Sequence, residues 1–439
     1  MGILSSLKRE QKEAVGLLQV GTLLEYFDLM LYVHMAIILN ELFFPKTDPH
    51  TAALLSAFAF CSTYVLRPFG ALIFGYIGDN IGRKATVIIT TMLMSLSCIM
   101  MANMPTYAQI GITASWAVTL CRVIQGLSSM GEIVAAEIYL TETVKPPAQY
   151  PAVGLMSCSS ALGTMMALGV AMIVFALNVE WRIAFWFGAS IAMVGTIARI
   201  KLRETPEFLQ SKKLMNKNAS ARKLQNQNFS AERNKTSTAF FLIYCAWPVC
   251  FYFVYVHCGN ILKFNFNYSA QEIIQQNFYV SMVQTVGYLL FAFLSYYVHP
   301  LKILKYKLMA IFPMLLICPY LFSIINSGAQ LFWIQSFLIF FAMTAAPAMP
   351  IFIARFPVFK RFTYTSFIYA LTRASMYVLT SFGLVYLTEM LGHWGLWLIL
   401  IPCAVSFWWG IRHFETLENL PKNISTKSFL TGQEASQPS

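Results

Sequence analysis

The chain has 439 residues, of which 57% are hydrophobic, 15% aromatic and only 11% charged, with a mean hydropathy of +0.60. A water-soluble domain of this size carries about 25% charged residues, so the composition excludes a soluble enzyme or binding domain and points to a chain that crosses a membrane many times. The formal net charge of +12 would suit a nucleic-acid partner, and only the positions of the basic residues decide that question.

In chain order, the N-terminus is polar, and the first apolar run, roughly residues 15–39, is long enough to stay as a span rather than be cleaved as a leader. It contains GTLLEYFDLMLY, which sets Glu25 and Asp28 three residues apart, neighbours on one helical face. An ion at that depth costs about 2.5–3.5 kcal/mol on insertion scales. Further spans are expected at roughly 52–77, 84–103, 108–140, 150–177 and 181–200, each near or above the length that crosses a hydrocarbon core. The loop GYIGDNIGRK joins spans two and three. There Gly75 and Gly78 permit close helix approach, Gly82 permits a tight turn, and Asp79 can pair with Arg83 or cap the next helix, which Lys84 opens. Span four carries RVIQGLSSMGEIVAAEIYLTE, with Arg122, Gln125, Glu132 and Glu137 along it; Glu137 and Glu142 are expected near its interfacial end.

Residues 201–237 break the apolar pattern. They are polar and basic, and are expected to form a cytoplasmic linker with a short helix near Thr205–Leu214. Six more spans follow, at roughly 238–258, 274–298, 308–325, 331–353, 364–387 and 394–411, and then a polar tail, 412–439, whose composition reads as disordered from Leu420. The expected organisation is thus 1–200, a six-helix half; 201–237, linker; and 238–411, a second six-helix half. With both termini cytoplasmic, 25 of the 31 Lys and Arg fall in cytoplasmic segments and three (Lys46, Arg182, Lys263) outside. That asymmetry is the positive-inside rule. It assigns the basic charge to topology and excludes nucleic acid. Arg67, Arg122 and Arg373 lie inside spans. The nine cysteines fall in or at the ends of spans without a C-x-x-C, as small packing residues rather than a metal site or disulfide framework. His34 and His257 read as hydrogen-bonded packing residues before proton sites. No nucleotide-binding loop and no catalytic His/Asp or Ser/His cluster at a membrane face is visible. An enzyme and an ATP-driven pump are not expected, nor any cofactor or metal.

The loop GYIGDNIGRK resembles the signature of the major facilitator superfamily, G-x-x-x-D-R-x-G-R-R/K, with Asn80 where the family has a basic residue. RVIQG resembles its second signature, R-x-x-Q-G. The longer stretch through Glu132 and Glu142, together with LEYFDLMLY, LRPFGALIFG, WRIAFWFG, RETPEF and FPVFKRFTYTSFIYAL, is similar to the metabolite:proton symporter branch, which includes proline/betaine and α-ketoglutarate carriers. The resemblance is dense over residues 15–210 and sparse afterwards. YYVHPLKILKYK, where the first signature should repeat, keeps only positive charge.

The resemblance implies an all-α membrane protein of twelve transmembrane helices in two halves. It also implies alternating access to a midplane site, and symport of a small organic acid or zwitterion with a proton. Candidate coupling residues are Glu25, Asp28, Arg122 and Glu132, with Arg122 the expected partner of the two acids of span one; candidate substrate residues are Tyr26, Arg67, Gln125, Tyr369 and Arg373. The gating loop comprises Gly75, Asp79, Gly82, Arg83 and Lys84. The proton falls to Glu25 or Asp28 without a choice between them. The expected partners are a small-molecule substrate, the proton and the lipid bilayer, for a monomer in a bacterial inner membrane. A transporter-like sensor, or a facilitator without proton coupling, is the alternative.

Overall fold

The computed structural model of the protein describes residues 7–45, 64–177, 180–200, 204–205, 209 and 230–418. The first part of span two, most of the linker with its expected short helix, the tail, Lys46 and Cys61 lie outside the described residues, as does the side chain of Glu132. Among the described residues all regular structure is helical.

Six rods come first: α1 (Arg9–Phe43), α2 (Arg67–Asn80), α3 (Arg83–Ala102), α4 (Ile112–Thr143), α5 (Gln149–Leu177) and α6 (Arg182–Ile200). α7 (Ser230–Phe251) passes through a π turn (Tyr252–His257) into α8 (Cys258–Asn265). α9 (Ala270–Leu294), α10 (Pro300–Ile324), α11 (Gly328–Phe340), α12 (Met349–Ala354), α13 (Val358–Leu391) and α14 (Trp397–Leu417) follow, with single short turns of helix at Tyr107–Ile110 before α4 and Gly392–Leu396 before α14. Among the described residues, seven helical stretches are long and apolar enough to cross a membrane, one of them running through α13 and α14. Many large apolar side chains, Phe69, Trp116 and Trp333 among them, are exposed. That is the surface of a bundle solvated by lipid, where only internally hydrogen-bonded helices are viable.

Local chemistry sets the ends. Proline stands in the first turn of α2 and α10, where a missing N–H costs nothing. Ser269 and Glu272 form a capping box at α9, and the Ser269 hydrogen bonds hold the exposed Glu272 carboxyl below its ordinary range. Pro248 removes an N–H just before the π turn. The Val254 carbonyl within that turn is taken up by the buried Gln335 amide of α11, 2.7 Å away.

The helices pack as two sets. In the first, α1 lies against α5, and α3 against α4 and α6; in the second, α7 lies against α14 and α13, and α9 against α11. The sets are joined chiefly by α5 with α9 and α2 with α13, and also where α4 meets α12 and α13 and where α5 meets α12.

Several expectations are corrected. α7 begins at Ser230, inside the expected linker. Span ten is interrupted: residues 341–348 between α11 and α12 are buried but not helical, with Pro347 and Pro350 at the break. Lys307, counted among the loop bases, is only 2% exposed within α10. Glu137, expected at the interface, is buried at 6% exposure in the bundle.

Candidate functional site

Between the two sets lies a cavity lined from both. Tyr26 of α1, Tyr64 just before α2, Arg67 of α2 and Glu137 of α4 face Tyr244 of α7, Tyr288 of α9 and Tyr369, Arg373 and Tyr377 of α13; Thr344 of the interrupted segment adds a hydroxyl. The guanidinium of Arg373 sits 3.4 Å from the Tyr369 ring centroid and 5.6 Å from that of Tyr244, and that of Arg67 sits 4.2 Å over Tyr64. Arg67 Nε and Nη2, and Arg373 Nη1, are buried without a hydrogen-bond acceptor among the described residues. A cation–π contact contributes about 0.5–2 kcal/mol, less than the roughly 2.5–3.5 kcal/mol that a mid-membrane arginine costs. The remainder is available to an anion that enters the cavity.

One acid answers these two bases. The Tyr244 hydroxyl donates to Met349 Sδ at 3.0 Å and, with Arg373, lies close enough to act on the Glu137 carboxyl, whose Oε2 has no partner among the described residues. The hydroxyls of Tyr26 and Tyr369 meet across the cavity at 3.2 Å.

The remaining candidates lie elsewhere. Glu25, Asp28, Arg122 and Gln125 are buried but do not line the cavity. Arg122 stacks 4.1 Å over Tyr32 and donates to Gln125 Oε1 at 3.0 Å. Gln125 Nε2 reaches Cys98 Sγ at 3.8 Å. Arg122 is thus engaged by Gln125 and the Tyr32 ring, where the sequence led us to expect the acids of α1. A Cβ on Gly188 of α6 would lie 2.4 Å from Asp28 Oδ1, so that glycine makes the slot for the carboxylate.

At the end of the bundle where α2 turns into α3, the signature loop ties the sets together. Asp79 accepts from the backbone of Phe362 (3.1 Å) and Thr363 (2.9 Å) and from the Thr363 hydroxyl (2.8 Å). These donors belong to the first turns of α13, where a helix favours negative charge. Arg83 reaches Asp79 at 3.5 Å, Glu142 of α4 at 3.2 Å and the Val358 carbonyl at 2.8 Å; Arg361 joins the same Glu142 oxygen at 3.1 Å. Glu204 accepts the Arg83 and Lys84 backbone N–H groups that open α3. Gly82 takes φ 150°, and a Cβ on Gly78 would press on the Phe362 ring at 2.4 Å. The position of Asn80 is spent on its own helix, donating to the Tyr76 carbonyl.

Glu137 and Tyr244 were missed as a pair by sequence reasoning, because nothing local says that α4 and α7 face one cavity. Among the described residues no group of three His, Cys, Asp or Glu could hold a metal.

A family model described as Major Facilitator Superfamily matches residues 20–381. Over 197 residues the chain is 33% identical to the inner membrane metabolite transport protein YhjE of Escherichia coli, an alignment covering 43% of this chain and 45% of that protein. Over 207 residues it is 31% identical to a proline/betaine transporter of Salmonella typhimurium, covering 45% and 41%. The matches thus span less than half the length of these curated relatives. Among solved structures, the proton:xylose symporter XylE superposes with a TM-score of 0.75 at 14% identity, over 93% of this chain and 98% of that one. The human organic anion transporter MFSD10 gives 0.71 at 15%, over 93% and 100%. At such identities the likeness is one of fold.

Proposed function

This chain belongs to the Major Facilitator Superfamily, and from that premise we propose that it moves a small carboxylate-bearing metabolite across a membrane by alternating access. The observation that carries this reading is the cavity itself. Two arginines from opposite helix sets present donors without acceptors, beside a wall of tyrosine rings. The arginines suit a carboxylate, and the rings suit an ammonium or quaternary ammonium group. A zwitterion such as proline or betaine fits both, in line with the proline/betaine transporter among its relatives; a dicarboxylate such as α-ketoglutarate is the second reading.

Transport is driven by a proton taken up with the substrate, as the XylE neighbour's description as a proton symporter supports. The arrangement is twelve spans in two halves, 1–200 and 238–411, around the basic segment 201–237, with both termini and the tail 412–439 cytoplasmic. The protein works as a monomer in a bacterial inner membrane. Glu25, Asp28, Arg122 and Glu132 serve proton coupling on α1 and α4; Tyr26, Arg67, Tyr369 and Arg373 serve the substrate. Gln125 supports Arg122 instead of touching substrate. The loop from Gly75 to Lys84 closes one end.

Uptake of labelled proline, betaine, α-ketoglutarate and citrate into proteoliposomes, with and without an inward pH gradient, tests this. Gradient-driven accumulation of one of the four is expected. Uptake that is saturable but indifferent to the gradient makes the protein a facilitator, and silence toward all four refutes the carrier reading for carboxylates of this class.

A further inference from the structure

The geometry points to Glu137 as a proton-carrying acid of the cavity, one that competes with the substrate carboxylate for Arg373. This rests on the transport reading above and adds a coupling group that the sequence assigned to the interface.

Glu137 and Arg373 stand on opposite helix sets, α4 and α13, and both line the cavity. Each is held on one side and left open on the other. Glu137 has Tyr244 beside it and keeps Oε2 without a partner; Arg373 rests on the Tyr369 ring and keeps Nη1 without a partner among the described residues. The other titratable or charged groups facing this place are Tyr26 of α1, Tyr64 just before α2, Arg67 of α2, Tyr288 of α9 and Tyr369 and Tyr377 of α13. α5 offers only hydroxyls, from Ser157, Ser160 and Thr164, and α12 offers Met349. Glu137 is thus the single carboxyl among the residues that line the cavity.

That arrangement couples two ligands through one base. With Glu137 ionised, its charge already offsets Arg373, and an arriving carboxylate meets repulsion from a like charge in a low-dielectric space. Two carboxylates sharing one small site do not both stay ionised. The substrate anion therefore binds together with a proton from the water on the side it enters from, which forms an O–H bond on Glu137. When the cavity opens to the other side and the substrate leaves, Arg373 again favours the ionised acid. The O–H bond breaks and the proton passes to water there, so one proton crosses with each substrate carboxylate and no other reactant is needed. Glu25 and Asp28 do not line the cavity, so they cannot meet a substrate in this direct way.

Glu137→Gln keeps the shape and a polar oxygen while removing the titration. In proteoliposomes of the full chain, the same four labelled probes are used for equilibrium exchange, pH-dependent binding and gradient-driven uptake. One coupled proton sustains up to about tenfold accumulation per pH unit in the wild type. The variant is expected to retain exchange, to bind with an affinity that no longer varies with pH, and to accumulate nothing above equilibrium. Tyr244→Phe provides a second, milder reading: accumulation persists, and the pH midpoint of uptake moves upward because the ionised carboxylate has lost the hydroxyl beside it. Wild-type accumulation in Glu137→Gln overturns the inference, as does loss of exchange in a monodisperse variant or an unmoved midpoint in Tyr244→Phe. A wild type silent toward every probe instead overturns the transport reading beneath it.

Discussion

Replacing Asp79 by alanine tests whether the signature loop holds one end of the bundle shut. The carboxylate accepts three hydrogen bonds from the start of α13 and lies 3.5 Å from Arg83. A hydrogen bond to a charged acceptor contributes about 1.5–3 kcal/mol. The three share one carboxylate and are not additive, and water reaches the Phe362 and Thr363 N–H groups once this end opens. We therefore take the loss as about 3 kcal/mol, a shift of roughly 150-fold in the equilibrium between closed and open ends. The assay is double electron–electron resonance between spin labels on Lys84→Cys and Lys360→Cys, which flank the network on α3 and α13. The Asp79→Ala background should add a longer-distance population that is minor in the parent. Asp79→Asn, which keeps one oxygen for Thr363, should shift it less. A distance distribution unchanged by Asp79→Ala in a folded protein refutes the reasoning. A fall in melting temperature without a change in distances would assign Asp79 to the fold and not to closure.

Gly188→Ala pushes a methyl into Asp28 Oδ1; overpacking of that kind costs about 1–3 kcal/mol, and a thermal melt identical to wild type would show that the slot is not tight. Lys307 is held by Thr344 Oγ1 at 3.1 Å and the Phe291 ring at 4.9 Å, with no acid in ion-pair reach among the described residues. Lys307→Met should therefore leave the melting temperature equal or raise it, and a drop of several degrees would reveal a stabilising role for the charge. Burial pushes His299, just before α10, down to about 4 from 6.5. The folded protein thus favours the neutral ring, and this contribution is present above pH 6.5 and lost as pH falls through 4. His299→Gln should flatten that part of the acid stability profile in detergent, and a superimposable profile would remove His299 from the account.

The order of the helices was legible because hydropathy and charge report on lipid and water directly. The signature loop was legible because its glycines and charges lie within ten residues of one another, although their partners on α4 and α13 were not. What stayed hidden depends on rotation and on distant partners. Glu25, Tyr26 and Asp28 are near neighbours in sequence, yet each residue turns a helix by about 100°, and only Tyr26 of the three lines the cavity. Glu137 looked interfacial from its distance to the end of span four, but α7 and α13 cover it with Tyr244 and Arg373. Lys307 sits in a basic run that reads as a loop; Pro300 starts the helix early and carries the lysine into the bundle. The break over 341–348 did have a local signal, the prolines of TAAPAMP, which apolar composition outweighed.

The hydroxyl pair of Tyr26 and Tyr369 spans the cavity at 3.2 Å, and either oxygen can be the donor. Its polarity is therefore reversible: rotating two O–H bonds turns a surface that offers a hydrogen into one that offers a lone pair, with no heavy atom displaced. A lining of this kind is ambidextrous. Descendants of this chain could exchange one cargo for another of different charge by altering the bases around the pair, keeping the same two tyrosines as a common floor.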